Sequence, residues 1–293
     1  MVKGANDLVE TQLNDLIKNI ERATSGDYLS YSGPIAFGAD DAIREAVETL
    51  RNRSKRRGRK LLIILETQGG FAEVARRISD TIRNHYKVVD FLIPSHAMSA
   101  GTILAMSGDA IHMDYYSVLG PIDPQVESQD GNKLIPAMGY LIKYEELLRK
   151  ANAGNAGAAE LSILLNFDQG ELYSYEQARD LSLSLLEEWL VKYKFKTWKI
   201  TAKKGKKVTL SMKKERAREI ATKLNDARRW NSHGIGINME RLRKDLNLKI
   251  DDFGEFDELN DSIKSYHKLL NDYMHKRSHR AIVHTRKTYE QLL

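Results

Sequence analysis

Apolar positions along the chain fall into two alternating rhythms. LLIILE (61–66) is an unbroken apolar run between basic residues and TQGG, as expected of a central parallel strand covered on both faces. KVVDFLIP (87–94), AIHM (110–113) and, bounded by glycines, SYSGPIAFG (30–38) read as further strands. Between them the period is helical. Ile43, Ala46, Val47 and Leu50 form one stripe behind a cap at Asp40 or Asp41, and Phe71, Val74, Ala75, Ile78 and Ile82 form another over 71–86. A polar helix over 5–22 carries Leu8, Leu13, Ile17 and Ile20, and SAGTILAMS supplies a short helix after KVVDFLIP. Strand and helix in regular alternation mean βαβ units and a mostly parallel sheet.

After GPIDPQ (120–125) the rhythm changes. Residues 139–230 read as mainly helical, with a soft break at ANAGNAGAAE (151–160). INMERLRKDLNLKI (237–250) is one more α/β element with Asn238 as its cap, and the polar tail beyond Asp251 reads as helix or arm. The organisation expected is an N-terminal helical arm (1–29), an α/β core (30–138), a helical basic insertion (139–230), a closing α/β element (231–250) and a polar extension (251–293). No internal repeat is present.

Composition narrows this picture. The 293 residues are 42% hydrophobic and 29% charged, as in an ordinary soluble globule. No run approaches a bilayer span, MVKGANDLVETQLNDL lacks the apolar core of a secretory signal, and cysteine is absent, which excludes disulfides and thiolate metal sites. A cytoplasmic protein is the simplest expectation. The net charge of +6 is concentrated in RNRSKRRGRK (51–60) and in residues 192–229. Such blocks are ordinarily solvated surface, and recruitment of nucleic acid or an anionic surface through 192–229 is the alternative. No recognised nucleic-acid-binding pattern sharpens it.

Candidate chemistry sits in the loops that follow two strands. TQGG follows LLIILE, and SHAMSAG follows the next strand, placing Ser99 at a strand-to-helix turn between small residues. Ligands of α/β folds gather at such strand ends. A nucleophile beside free backbone N–H donors suits attack on a carbonyl, because the donors meet the charge that develops on oxygen. The alternative is that Ser99 only caps its helix and Gly69–Gly70 is only a turn.

GPIAFGADDAI, LLIILETQGGF, AMSAGTILAMSGDAI and SVLGPIDPQ, in this order, resemble the Clp-protease/crotonase superfamily, and within it the serine dehydrogenase proteinase family, relatives of signal peptide peptidase A. The resemblance covers residues 30–126, with a weaker echo at WNSHGIGINMERLRKDLNLKI. It implies a spiral of ββα units and a serine peptidase with no metal or nucleotide cofactor of its own. It also implies peptide or protein substrates and a homo-oligomer. By position, Ser99 matches the nucleophile, and Gly70 and Ala100 supply the oxyanion-hole amides. Asp123 takes the place of the Clp histidine, and His233 falls near the late aspartate, so the two residue types stand exchanged. This gives the expected set Ser99–His233–Asp123, with His233 as base and Asp123 orienting it. A lysine base, as in the signal peptide peptidase branch, falls on Lys143, or less well on Lys133. His96 is expected at the loop surface, His112 as a satisfied core or edge residue, and His275, His279 and His284 in no metal-binding pattern. Two alternatives use the same fold: an inactive scaffold or binding module, and a crotonase-type acyl-CoA enzyme, against which the serine argues.

Overall fold

Leu61–Leu65, the unbroken apolar run of the strand Lys60–Glu66, lies within the main sheet, and its alternation shows why all five positions are apolar. Leu61, Ile63 and Leu65 enter the larger core, while Leu62 and Ile64 enter a second core on the opposite face. The structure, a computed structural model, describes residues 4–52, 60–127, 134–201 and 205–292. Most of the first basic block therefore lies outside the described residues, as does Lys133.

The chain runs through α1 (Ala5–Thr24), β1 (Gly26–Ser32), α2 (Ala39–Asn52), β2 (Lys60–Glu66), α3 (Ala72–His85) and β3 (Val88–Leu92). It continues through β4 (His96–Ala97), α4 (Ala100–Ala105), β5 (Ala110–Met113), β6 (Val118–Leu119) and the antiparallel pair β7 (Gln125–Glu127) and β8 (Leu134–Pro136). The insertion comprises α5 (Ala137–Asn152), α6 (Ala158–Leu165), α7 (Gln169–Trp189) with a π-helical turn at Leu190–Lys194, α8 (Leu210–Asn225) and α9 (Ala227–Trp230). Last come β9 (Ile237–Asn238), α10 (Met239–Asp245), β10 (Asp251–Asp252), α11 (Asp257–Lys276), β11 (Ile282–Thr285) and β12 (Thr288–Gln291).

The main sheet has the order β10-β5-β3-β2-β1-β11-β12, parallel from β10 to β1 and antiparallel at β11 and β12. This is the mostly parallel α/β architecture the alternation predicts. The first strand starts earlier than its pattern suggests and stops at Ser32. Gly33 (φ 144°) breaks it, and a Cβ there would stand 2.5 Å from Ala281 Cβ. Beyond the break only Ile35 still pairs, in a single bridge to Gly70.

The polar tail, read as helix or arm, is built into the sheet. β11 pairs with β1, matching Ser30 with His284, and α11 packs with α1 over Leu62, Ile64 and Tyr28. Asn238 caps α10 as expected, its side chain accepting the Arg241 N–H at 3.0 Å.

Two features of this packing generate predictions. His284 is almost wholly buried, bonded through Nδ1 to Tyr266 Oη at 2.8 Å, and burial pushes its imidazole down to about 4. Between that value and the ordinary one near 6.5 the unfolded chain binds more protons, so stability falls as pH drops through this window. In His284→Gln the unfolding free energy, followed by denaturant titration, should lose that part of its slope between about pH 6.5 and 4. Separately, Gly101 of α4 lies against the loop after β2: a Cβ there would meet Thr67 Cγ2 at 2.3 Å. Gly101→Ala should cost roughly 1–3 kcal/mol by overpacking. Thr67→Ser, which removes that methyl and keeps the hydroxyl, should recover part of the loss in a double-mutant cycle of thermal unfolding.

Candidate active site

A second, three-stranded sheet, β4-β6-β9, brings distant segments to one edge. Ala97 pairs with Leu119 and Leu119 with Ile237, β4 and β6 running parallel and β9 antiparallel. The ends of β4 and β6 and the start of β9 therefore lie together. Ser99 is two residues beyond Ala97, Asp123 four beyond Leu119, and His233 four before Ile237. At about 3.3 Å per residue each lies within roughly 7–13 Å of chain from the same rung.

Thr102 ties the first two of these turns together. Its fully buried hydroxyl lies 2.8 Å from the Ala97 carbonyl and 2.9 Å from the Gly120 carbonyl, and it accepts the Gly120 N–H at 2.9 Å. Gly120 is pressed onto the residue before Ser99, since a Cβ there would stand 3.2 Å from Met98 Cα. The smallness of Gly101 is used for packing against Thr67.

Ser99 occupies the N-cap position of α4 but makes no side-chain cap hydrogen bond. The helix-cap reading of its hydroxyl thus lacks the contact it requires. Its backbone sits at φ 50°, ψ −116°, a conformation that costs an L-residue on the order of 1–3 kcal/mol and that tends to occur at functional turns. The side chain is half-buried, with Ala100 buried behind it.

The glycine loop lies directly against this turn. A Cβ on Gly69 (φ 106°) would stand 2.8 Å from Ser99 Cβ, and the loop is pinned by Met98 N–H to the Thr67 carbonyl at 2.9 Å and Gly69 N–H to Thr67 Oγ1 at 3.0 Å. Gly70 (φ 146°) bridges Ile35 through its neighbours: Ile35 N–H donates to Gly69 O and Phe71 N–H donates to Ile35 O, both at 2.8 Å. In a parallel bridge that pattern turns the central residue's own N–H to the opposite edge. Among the described residues neither the Gly70 nor the Ala100 N–H donates to a backbone or side-chain acceptor.

Asp123 is buried, and its Oδ1 lies 2.9 Å from His233 Nδ1. Its other oxygen accepts from Gln125 Nε2 at 3.2 Å. An Nδ1–H donated to a buried carboxylate leaves Nε2 as the lone-pair nitrogen. The histidine remains half-exposed. Among the described residues no hydrogen bond joins Ser99 Oγ to His233. Lys143 projects from α5 with its side chain 66% exposed and 3.5 Å from Glu146 Oε2. It therefore lacks the dry surroundings that a lysine base needs.

The remaining histidines have other partners. His112 Nε2 lies 3.1 Å from Asp90 Oδ2 on the main sheet. His96 is no loop residue: it opens the three-stranded sheet, with Nε2 2.9 Å from Gln68 Nε2 and Nδ1 3.0 Å from Ser95 Oγ. Behind Gln68, Glu66 meets His267 Nε2 at 2.9 Å. Burial alone would raise the Glu66 carboxyl, but the His267 hydrogen bond and the charges of His267 and His96 outweigh it and hold it below its ordinary value. A cavity of about 300 Å³ opens here, beside the glycine loop, with Arg280 at its margin. Thr102 and the Glu66–His267 pair are not marked by any motif in the sequence. The hydroxyl inside an otherwise apolar SAGTILAM helix was the one available signal for Thr102, whereas nothing local links Glu66 to a histidine 201 residues away.

Comparison with known proteins bears on the same segment. Residues 39–144 match the family model described as ClpP-like SDH-type serine proteinase. The chain is similar to the uncharacterized protein MJ0137 of Methanocaldococcus jannaschii, 26% identical over 61% of this chain and 63% of that protein. It is also similar to the uncharacterized protein MJ1495 of the same organism, 33% identical over 26% of each. The chain thus spans less than two thirds of the length of these relatives. Among solved structures, a mutant of the 1510-N membrane-bound stomatin-specific protease aligns with a TM-score of 0.45 and 13% identity, covering 80% of this chain and 81% of that one. The matched residues 39–144 include Gly70, Ser99, Ala100 and Asp123, so the likeness to ClpP-like SDH-type serine proteinases falls on the segment that carries most of the candidate site.

Proposed function

We propose that the protein is a serine peptidase that cleaves peptide bonds through an acyl-enzyme on Ser99. The observation that carries this reading is the 2.9 Å bond from the buried Asp123 to His233 Nδ1, at the sheet edge that also bears the strained Ser99 turn. The match of residues 39–144 to the ClpP-like SDH-type serine proteinase model supports it. In this mechanism His233 Nε2 removes the Ser99 hydroxyl proton as Oγ attacks the substrate carbonyl carbon. The Gly70 and Ala100 N–H groups receive the charge that develops on the carbonyl oxygen. Collapse breaks the C–N bond, and His233 passes its proton to the leaving amine. Water, deprotonated by the same histidine, then hydrolyses the ester and restores the serine. Asp123 holds the imidazole in the required tautomer and stabilises the imidazolium. The exposed Phe37 and Phe71 rings, 5.2 Å apart beside Gly70, offer an apolar surface to a peptide.

That no hydrogen bond joins Ser99 Oγ to His233 among the described residues favours a second reading, an inactive module that binds peptides without cutting them. A fluorophosphonate probe separates the two. The wild-type chain should label and Ser99→Ala should not; an unlabelled wild type, or a labelled mutant, overturns the assignment. Asp123→Asn should preserve the fold, checked by thermal unfolding, while lowering the labelling rate by about 10³–10⁴. If Asp123→Asn and His233→Ala label at the wild-type rate, the base lies elsewhere.

A further inference from the structure

The lysine-rich stretch 192–214 divides sharply from the basic helix that follows it. It contains ten lysines, no arginine and no acidic residue. On α8 and α9 beyond it the cations are matched: Arg216 and Lys223 pair with Glu219, Arg218 with Glu187, and Arg228 with Glu146. These pairs remove most of the field expected from the second half of the 192–229 block.

In the first half Lys192 lies 3.9 Å from Glu188 and burial pushes Lys194 down to about 8, but the lysines beyond them keep their charge. Residues 199–201 and 206–208 run antiparallel, with Thr201 N–H donating to Lys206 O and Val208 N–H to Lys199 O, both at 2.9 Å, and Ile200 bridged to Lys207. Lys213 Nζ lies 3.4 Å from the Lys196 carbonyl and fastens the start of α8 to this arm. Lys196, Lys199, Lys206, Lys207 and Lys214 are exposed and, among the described residues, take part in no ion pair. Two large aliphatic side chains stand exposed within the same patch, Ile200 at 64% and Leu210 at 60%.

We infer that this hairpin docks the protein on an anionic lipid surface. Charge complementarity selects a polyanion, and the accompanying residues select lipid over nucleic acid. Nucleic-acid grooves use arginine forks and exposed aromatic rings for stacking. Here no arginine is present, and the nearby Trp198 is half-buried against Phe195, 5.6 Å between ring centroids. Exposed isoleucine and leucine gain nothing from a phosphate backbone, whereas at a bilayer they enter the acyl boundary while lysines hold the headgroups. Among the described residues no helix is long and apolar enough to cross a membrane, so the contact is peripheral. α8 runs from the patch to the candidate site: its first residue is Leu210, and Leu224 O near its far end accepts the N–H of Ile122, next to Asp123, at 3.0 Å. At 1.5 Å per residue this helix separates the site from the docked surface by about 24 Å. The inference does not depend on the catalytic reading.

Sedimentation of the full chain with vesicles tests it. The protein should bind vesicles of about 3:1 phosphatidylcholine to phosphatidylserine, fail to bind phosphatidylcholine alone, and release as salt rises from about 0.05 to 0.3 M. K206A/K207A should weaken partitioning about thirtyfold. I200S/L210S should weaken it at every salt concentration, because the apolar contribution is unscreened. Both variants should keep the wild-type melting temperature, since neither pair is buried. Equal binding to neutral vesicles, unchanged binding in both variants, or no vesicle binding together with salt-sensitive capture of duplex DNA or single-stranded RNA overturns the inference.

Discussion

Everything in the candidate site depends on how the three short strands β4, β6 and β9 are held in register, and the Thr102 hydroxyl is the centre of that constraint. Fully buried, it satisfies the Gly120 N–H and faces two carbonyls across the gap between the nucleophile turn and the Asp123 turn. A buried backbone group without a partner costs on the order of 1–3 kcal/mol, so these turns are not free to separate. Two-residue strands cannot hold such a register by ladder bonds alone. The hydroxyl supplies what the short ladders lack.

Around that clamp, close approach is obtained from missing side chains. Gly69 lets the loop lie against Ser99, Gly101 seats α4 on Thr67, and Gly120 seats the Asp123 turn on Met98. The result is a strained serine backbone over-determined by packing on several sides, which is how such strain persists. The Asp123–His233 bond adds the third segment, arriving from 110 residues away through β9. Behind the loop, Glu66 stays ionised because His267, carried by the C-terminal helix, meets it. The tail is therefore structural in two ways: it covers the second core and it finishes the electrostatics beneath the glycine loop.

Charge is partitioned along the chain with equal clarity. In the helical insertion most arginines lie beside carboxylates, whereas the described lysines of the hairpin before α8 take part in no ion pair. The first half holds ten lysines and no acid, the second five cations and three acids, and ion pairing widens that difference in field, because pairing is a property of spacing on a helix and of neighbouring elements.

Local sequence determined the parts of this protein that local physics governs. The unbroken run LLIILE required a strand covered twice, the i, i+3, i+4 stripes of α2 and α3 required helices with one buried face, and Gly69–Gly70 and Ser99 marked turns at strand ends. Asp123 and His233 were legible as a pair through role and rough position. Tertiary structure alone decided that these two meet, that Lys143 remains in water beside Glu146, and that Thr102 points into the clamp. It also decided that a polar tail supplies three strands of the main sheet. Lys143 stays in water because, among the described residues, nothing distant covers that face of α5, and the other three rest on contacts between separate segments, whose partners leave no periodic trace in either segment's own sequence.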